Sequence, residues 1–268
     1  MNTKTPMSDN DVRSFIAQVE LADITGPLMR QSRAVGLPRT RMIDNTEPAD
    51  AAVVGSNLLT FIEGVSRQNR EDIMDSFLFA TLVANKAFDP ETQSTEWYAS
   101  LYKVLSTVGW LSSSWSYERY QSNHQTFTME EAGLEIIASA IAAAALPGPA
   151  AAAMLTVAAD ALKALAAQEK PLGLFERQSK SHNGASFRIG ACSEVANGTV
   201  NLAMGAINFQ TSSKVTNVLF WEWNSTDVKT FRGEDNLVLN TRLYGQIREQ
   251  IRQRLGDNAQ TAIAEFDI

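Results

Sequence analysis

Apolar positions along this chain recur first at the spacing of helices and then, past the middle, at the spacing of strands. Ser8 to Asp11 supply N-cap types ahead of Val12, Phe15, Ile16 and Val19, which predicts a short amphipathic helix closed by Gly26-Pro27. Residues 30–48 carry Gly36, Pro38 and Pro48 and read as a connector, with Arg30, Arg33, Arg39 and Arg41 as a solvated basic cluster. Val54, Leu58, Leu59, Ile62 and Val65 fall on one stripe and predict a helix over 51–65. Ile73, Phe77, Leu78, Leu82 and Val83 do the same over 72–88. Asp89-Pro90 breaks that run, and Thr95 is placed to cap a helix bearing Trp97, Tyr98, Leu101, Val104, Leu105 and Val108, with Gly109 at its C-terminal end.

The period then changes. Trp115, Tyr117 and Arg119 alternate with polar residues and predict a strand. From Met129 to Gln168 the pattern is helical again, with a break at Leu146-Pro147-Gly148-Pro149, because proline ends one helix and can open the next from its first turn. Thr128 with Glu131 forms a capping-box pair at the start of this Ala-rich hairpin, and no charged residue occurs from Ile136 to Ala159. After Pro171 the expectation is β: a strand over 186–193, an Asn197-Gly198 turn, a strand over 199–211 with Gly205 as a bulge, then strands over 215–223 and 228–232. Thr241 to Leu255 closes the chain as a helix with Leu243, Ile247, Ile251 and Leu255 on one side and arginines 242, 248, 252 and 254 suited to its C-terminal dipole; Gly256 ends it before a last turn with Ile263 and Phe266. The expected fold is α+β, one domain over 1–268, with an antiparallel meander covered by helical layers. Its parts are a mostly helical 1–110, a strand plus the Ala-rich hairpin over 111–171, the sheet over 172–240 and the C-terminal helix over 241–268.

Composition narrows the functional classes. A net charge of −7 argues against nucleic acid as a partner, which needs a basic surface, and against simple adsorption to anionic lipid. One cysteine excludes an internal disulfide. The first eleven residues hold no apolar core of signal-peptide length, so the expectation is cytoplasmic synthesis, with any release by a non-classical route.

No catalytic motif is legible. Cys192 with His124 or His182 supplies the elements of a thiol–imidazole pair but no protease signature, and a buried packing role is the ordinary one for cysteine. One Cys and two distant His give no metal cluster. Phe220, Trp221 and Trp223 read first as core and second as the lining of a sugar or lipid cleft, and the acceptor-like triplets Asn197-Gly198-Thr199 and Asn224-Ser225-Thr226 read as turns. The hairpin itself reads first as a buried layer and second as an element able to enter a bilayer, with Ile136, Ile137, Ile141, Leu146, Met154, Leu155 and Val157 as lipid-contact candidates. Each arm is too short before a charge for a constitutive membrane span.

Helices first, an antiparallel sheet near the end and one cysteine on that sheet resemble the layout of the Evf-type bacterial virulence factors. Ser76-Phe77-Leu78…Asn85-Lys86, Trp97-Tyr98…Gly109-Trp110 and Val215-Thr216-Asn217-Val218-Leu219-Phe220 are similar to segments of other bacterial and fungal proteins. The Evf-type resemblance implies a non-enzymatic virulence or toxin-like protein that associates with lipid or membrane, with Cys192 as the position of a covalent palmitate. No other cofactor is expected. A fainter likeness to Cyt-type cytolysins rests on helical hairpins flanking a sheet. The alternatives are a self-associating interaction protein, hence a homo-oligomer, and a cysteine-dependent acyltransferase or hydrolase using Cys192 and His182.

Overall fold

The structure is a computed structural model that describes residues 8–23, 47–113, 115–213, 215, 217–256 and 258–268. Ser8 caps α1 (Asp9–Gln18) through a reciprocal pair: its hydroxyl accepts from the Asp11 amide and its own amide donates to the Asp11 carboxylate. The Gly26-Pro27 stop and most of the 30–48 connector, with its four arginines, lie outside the described residues. The helix expected over 51–65 is instead a hairpin of β1 (Asp50–Val54) and β2 (Asn57–Phe61), turned at Gly55, whose φ of +58° suits glycine. α2 (Arg67–Ala87) and α3 (Ser94–Thr107) follow; Gln93, not Thr95, stands at the start of α3, and Gly109 leaves its end at φ +110°. β3 (Trp110–Ser112) and the expected strand β4 (Ser116–Tyr120) come next, then β5 (Thr126–Thr128).

The Ala-rich hairpin forms as α4 (Met129–Ala143), opened by the Thr128–Glu131 capping box, and α5 (Gly148–Ala166), with Pro149 in its first turn. Pro171 does not introduce the sheet. It sits in the first turn of α6 (Glu169–Ser179), where a missing N–H costs no helical bond. β6 (Gly184–Glu194) and β7 (Val200–Thr211) match expectation, but the described residues of the segment expected as a strand over 215–223 are irregular up to the short β8 (Glu222–Asn224). β9 (Val228–Leu239) is longer than expected; α7 (Thr241–Leu255) has the expected bounds; α8 (Asn258–Ala262) is followed by β10 (Ile263–Asp267), a strand where a final turn was expected.

The fold is α+β. One sheet runs in the order β10-β1-β2-β6-β7-β9-β3, with β4 also on β9, and a small second sheet pairs β5 with β8. β6, β7 and β9 form the antiparallel meander, but the sheet as a whole is mixed, because β2 runs parallel to β6. Helices cover both faces. Phe77, Trp97, Leu101 and Ile251, from α2, α3 and α7, share one buried cluster with Cys192, Leu202 and Met204 of the sheet. Ile136, Leu162 and Phe175, from α4, α5 and α6, share the other with Phe187, Ile189, Ile207 and Phe209. Of the four arginines expected to suit the α7 dipole only Arg252 and Arg254 lie in its last turn, Arg242 being its second residue, and tertiary ion pairs matter more. Arg248 grips the fully buried Asp72 of α2 with two bonds of 2.6 Å, and Arg252 reaches Asp75 at 3.1 Å and Glu71 at 2.8 Å.

Gly205 is not a bulge: Ile189↔Gly205 and Gly205↔Glu234 continue the ladders unbroken. Its role is close approach. A Cβ there would meet Ile136 Cγ2 at 2.9 Å and the Ile137 amide nitrogen at 3.2 Å, and one on Gly133 of α4 would meet Ile189 Cδ1 at 2.6 Å. Two bare glycines thus seat α4 directly on the sheet. Gly205→Val is expected to lift α4 and cost about 1–3 kcal/mol by overpacking; a urea midpoint unchanged from the parent would contradict this seating.

Candidate functional site: the tip of the Ala-rich hairpin

The hairpin is held at its base and open at its tip. Ile137, Ala140, Ile141, Met154 and Ala158 pack with Ala191 and Ala203 of the sheet. The Tyr120 hydroxyl donates to Glu135 at 2.7 Å and the Ser139 hydroxyl to Glu234 at 2.8 Å, tying α4 to β4 and β9. From Ala142 to Ala153 the picture reverses, since no residue in that run is buried and none carries a charge. The exposed members include Ala142, Ala143, Pro147, Pro149 and Ala152, and Leu155 just beyond keeps 38% of its surface in water. α5 has a mean hydropathy of 1.3 with only a third of its apolar window buried, an unusual balance for a helix in contact with water.

The seven lipid-contact candidates therefore divide. Ile136, Ile137, Ile141 and Met154 are core, Leu146 and Val157 are half-buried, and Leu155 faces solvent. Sequence reasoning picked the largest apolar side chains, which are the ones the sheet claims. The exposed alanines and prolines of the tip were legible only as the uncharged stretch between Glu135 and Asp160.

Cys192 lies on the opposite face. It pairs with Phe61 on β2 and Leu202 on β7, is fully buried under the α2 layer, and its carbonyl accepts from the Ile62 amide at 3.1 Å. Burial pushes its thiol far above the ordinary range, only partly offset by the Arg70 cation. His182 sits in the loop before β6, and the eight residues from Gly184 to Cys192 span about 26 Å of extended strand. The thiol and that imidazole cannot meet. Of the aromatic group, Trp223 is core against Phe209, whereas Trp221 is half exposed.

β6 also buries a cation that sequence reasoning passed over. Arg188 donates through Nε to the Asn57 side chain at 2.8 Å and through Nη2 to the Ser56 hydroxyl, and its guanidinium lies 4.5 Å over the Trp97 ring. It has no carboxylate partner among the described residues, and its Nη1 meets no acceptor there. Burial lowers its pKa, with Tyr98 and Tyr102 opposing that drop. The only signal in sequence was an arginine at an inward position of an apolar strand.

No family model and no curated protein sequence matches the chain. Among solved structures it is similar to the Evf virulence factor, at 10% identity and a TM-score of 0.32, over 78% of this chain and 83% of that one. That degree of overlap carries no argument about what this chain does.

A thiol this deep reacts only when the core opens. Cys192 is expected to resist a soluble thiol reagent in folded protein and to label fully in urea; prompt labelling of the native state would show that the α2 layer does not cover it.

Proposed function

We propose that this protein associates peripherally with a lipid bilayer through the tip of its α4–α5 hairpin. The run Ala142–Ala153, unburied and uncharged at the end of a hairpin whose base is fixed, is the observation that supports the reading. Its size sets the depth. The unburied start of α5, Gly148 to Ala153, is six residues and about 9 Å long. That reaches only part way into one leaflet of a hydrocarbon core about 30 Å thick. Attraction does not come from bulk charge, because the chain is net −7 and the tip carries none.

The virulence or toxin-like role rests on the sequence resemblance alone. An acyl group on Cys192, which the same resemblance implies, would run into the α2 side of the core, away from the hairpin, so tip and thioester are separable. Intact mass of protein from its natural producer, before and after hydroxylamine, tests the acyl group: an excess of one fatty acyl removed by hydroxylamine is the expected signature, and an unmodified mass removes that part of the reading.

Flotation with neutral phosphatidylcholine vesicles tests the tip. The parent is expected to float at low and high salt alike, since burial of apolar surface is not screened. The double variant Ala152→Glu with Leu155→Glu, both exposed, is expected to fold normally and to lose vesicle binding by about tenfold or more, charge being costly in hydrocarbon. Absence of flotation, or an unchanged double variant, would overturn the proposal. A lipid-free assembly by light scattering that dissolves in the same variant would assign the tip to self-association instead.

A further inference from the structure

A second site lies at the far end of the sheet from Cys192, where the start of β9 meets β4, the end of β7 and the loop between α2 and α3. The strand registers line up a row of side chains on one face: Gln210 of β7 stands opposite Lys229, Phe231 is two residues on, and Arg119 of β4 stands opposite Phe231. Both cations lie on the same ring. The Arg119 guanidinium is 5.5 Å and the Lys229 ammonium 5.4 Å from the Phe231 centroid, while Tyr117 stacks on that ring at 5.8 Å and an interplanar angle of 14°. Arg119 and Lys229 line a groove of about 680 Å³, and Arg119 also lines an adjoining hollow of about 260 Å³.

The charges in this groove are unequally used. Neither cation has a carboxylate partner among the described residues, in a chain with 30 acidic residues against 23 basic ones. The acid beside Arg119, Glu118, is on the other face of β4 and is taken by Arg232 at 2.9 Å. Two carboxylates also lie in the groove wall: Glu91 accepts the His182 and Asn183 amides with its two oxygens, both at 3.0 Å, and Asp227 accepts the Thr226 hydroxyl at 3.1 Å through one oxygen. The side chains of Asn183 and Ser212 add donors with no protein partner among the described residues. A pair of cations held on one aromatic ring, with the neutral donors Asn183 and Ser212 nearby, is chemistry that recognises an oxyanion, although Glu91 and Asp227 in the same wall balance the formal charge.

We infer that this groove binds a small ligand through an oxyanion group, a phosphate or a carboxylate, held by Arg119 and Lys229, with Asn183 and Ser212 contacting the ligand's polar body. The inference does not depend on the hairpin and concerns a different end of the molecule. Calorimetric titration of the full chain with inorganic phosphate, with glucuronate and with glucose tests it and separates the sources. Saturable binding of phosphate or of glucuronate, with glucose silent, is the expected result. Arg119→Gln and Lys229→Gln, both at exposed positions, are each expected to weaken that binding by about tenfold with an unchanged melting temperature, while Lys170→Gln on the exposed surface of α6 leaves it intact. No binding of either anion, equal binding of glucose, or an equal loss in Lys170→Gln would overturn the assignment.

Discussion

The first ten residues of β6 are all buried, and that burial dictates most of what surrounds them. A strand with no water on either face needs cover on both. The chain meets this with α2, α3 and α7 on one side and α4, α5 and α6 on the other. On the hairpin side the cover is close enough that two positions must be glycine, Gly133 and Gly205, with side chains of Ile136 and Ile189 filling the space a Cβ would take. On the other side it seals in Cys192 and Arg188. Arg188 is tolerated there because three neutral groups, Asn57, Ser56 and the Trp97 ring, share its charge without a carboxylate.

The same double burial explains what could and could not be read from sequence. Elements with one wet face were legible: α7, with polar positions between its buried Ile247, Ile251 and Leu255, and α4, with its capping box. The β1–β2 hairpin was not, because nearly all of Ala51 to Phe61 is apolar or buried and the period-2 signal vanishes. Its spacing of Val54, Leu58 and Leu59 mimics a helical stripe by coincidence. Residues 215–223 failed for a different reason. Val218 and Leu219 are buried by tertiary contacts of an irregular segment, with the Val218 amide held by the Glu176 carboxylate at 2.7 Å. The candidate site was half legible: the uncharged stretch announced the hairpin, but only the packing says that its end, not its body, meets solvent. The Arg119–Lys229 pair had no sequence signature, since its members are 110 positions apart and meet through strand register.

Charge placement follows one logic across the molecule. Arginines near a helix C-terminus gain about 0.3–1 kcal/mol from the dipole, whereas removing one partner of a buried pair costs about 3–5 kcal/mol. The second figure is the one that applies to Arg248, whose partner Asp72 is wholly buried. The α7–α2 clamp is therefore a tertiary contact that the dipole reading undervalued. Cations with such partners are structural. Arg119 and Lys229 lie on the Phe231 ring and lack a carboxylate partner among the described residues, so no such clamp accounts for them.

Energetics also decide how much of the hairpin can act. Releasing α4 and α5 from the sheet would expose Ile136, Ile137, Ile141, Met154, Leu162 and Leu165, all buried. At about 1.5–3 kcal/mol for each buried side chain, that costs on the order of 10 kcal/mol before any gain from lipid, which is comparable to the whole stability of an ordinary domain. Alanine returns little of it, having a small apolar surface. The tip needs no release, since no residue of Ala142–Ala153 is buried, α4 stays pinned through Glu135, Ser139 and the Gly205 contact, and α5 through Met154 and Ala158. A shallow wedge on a fixed base is thus favoured over an opening hairpin by the full cost of unpacking, and the glycines that seat α4 on the sheet are what keep the tip presented.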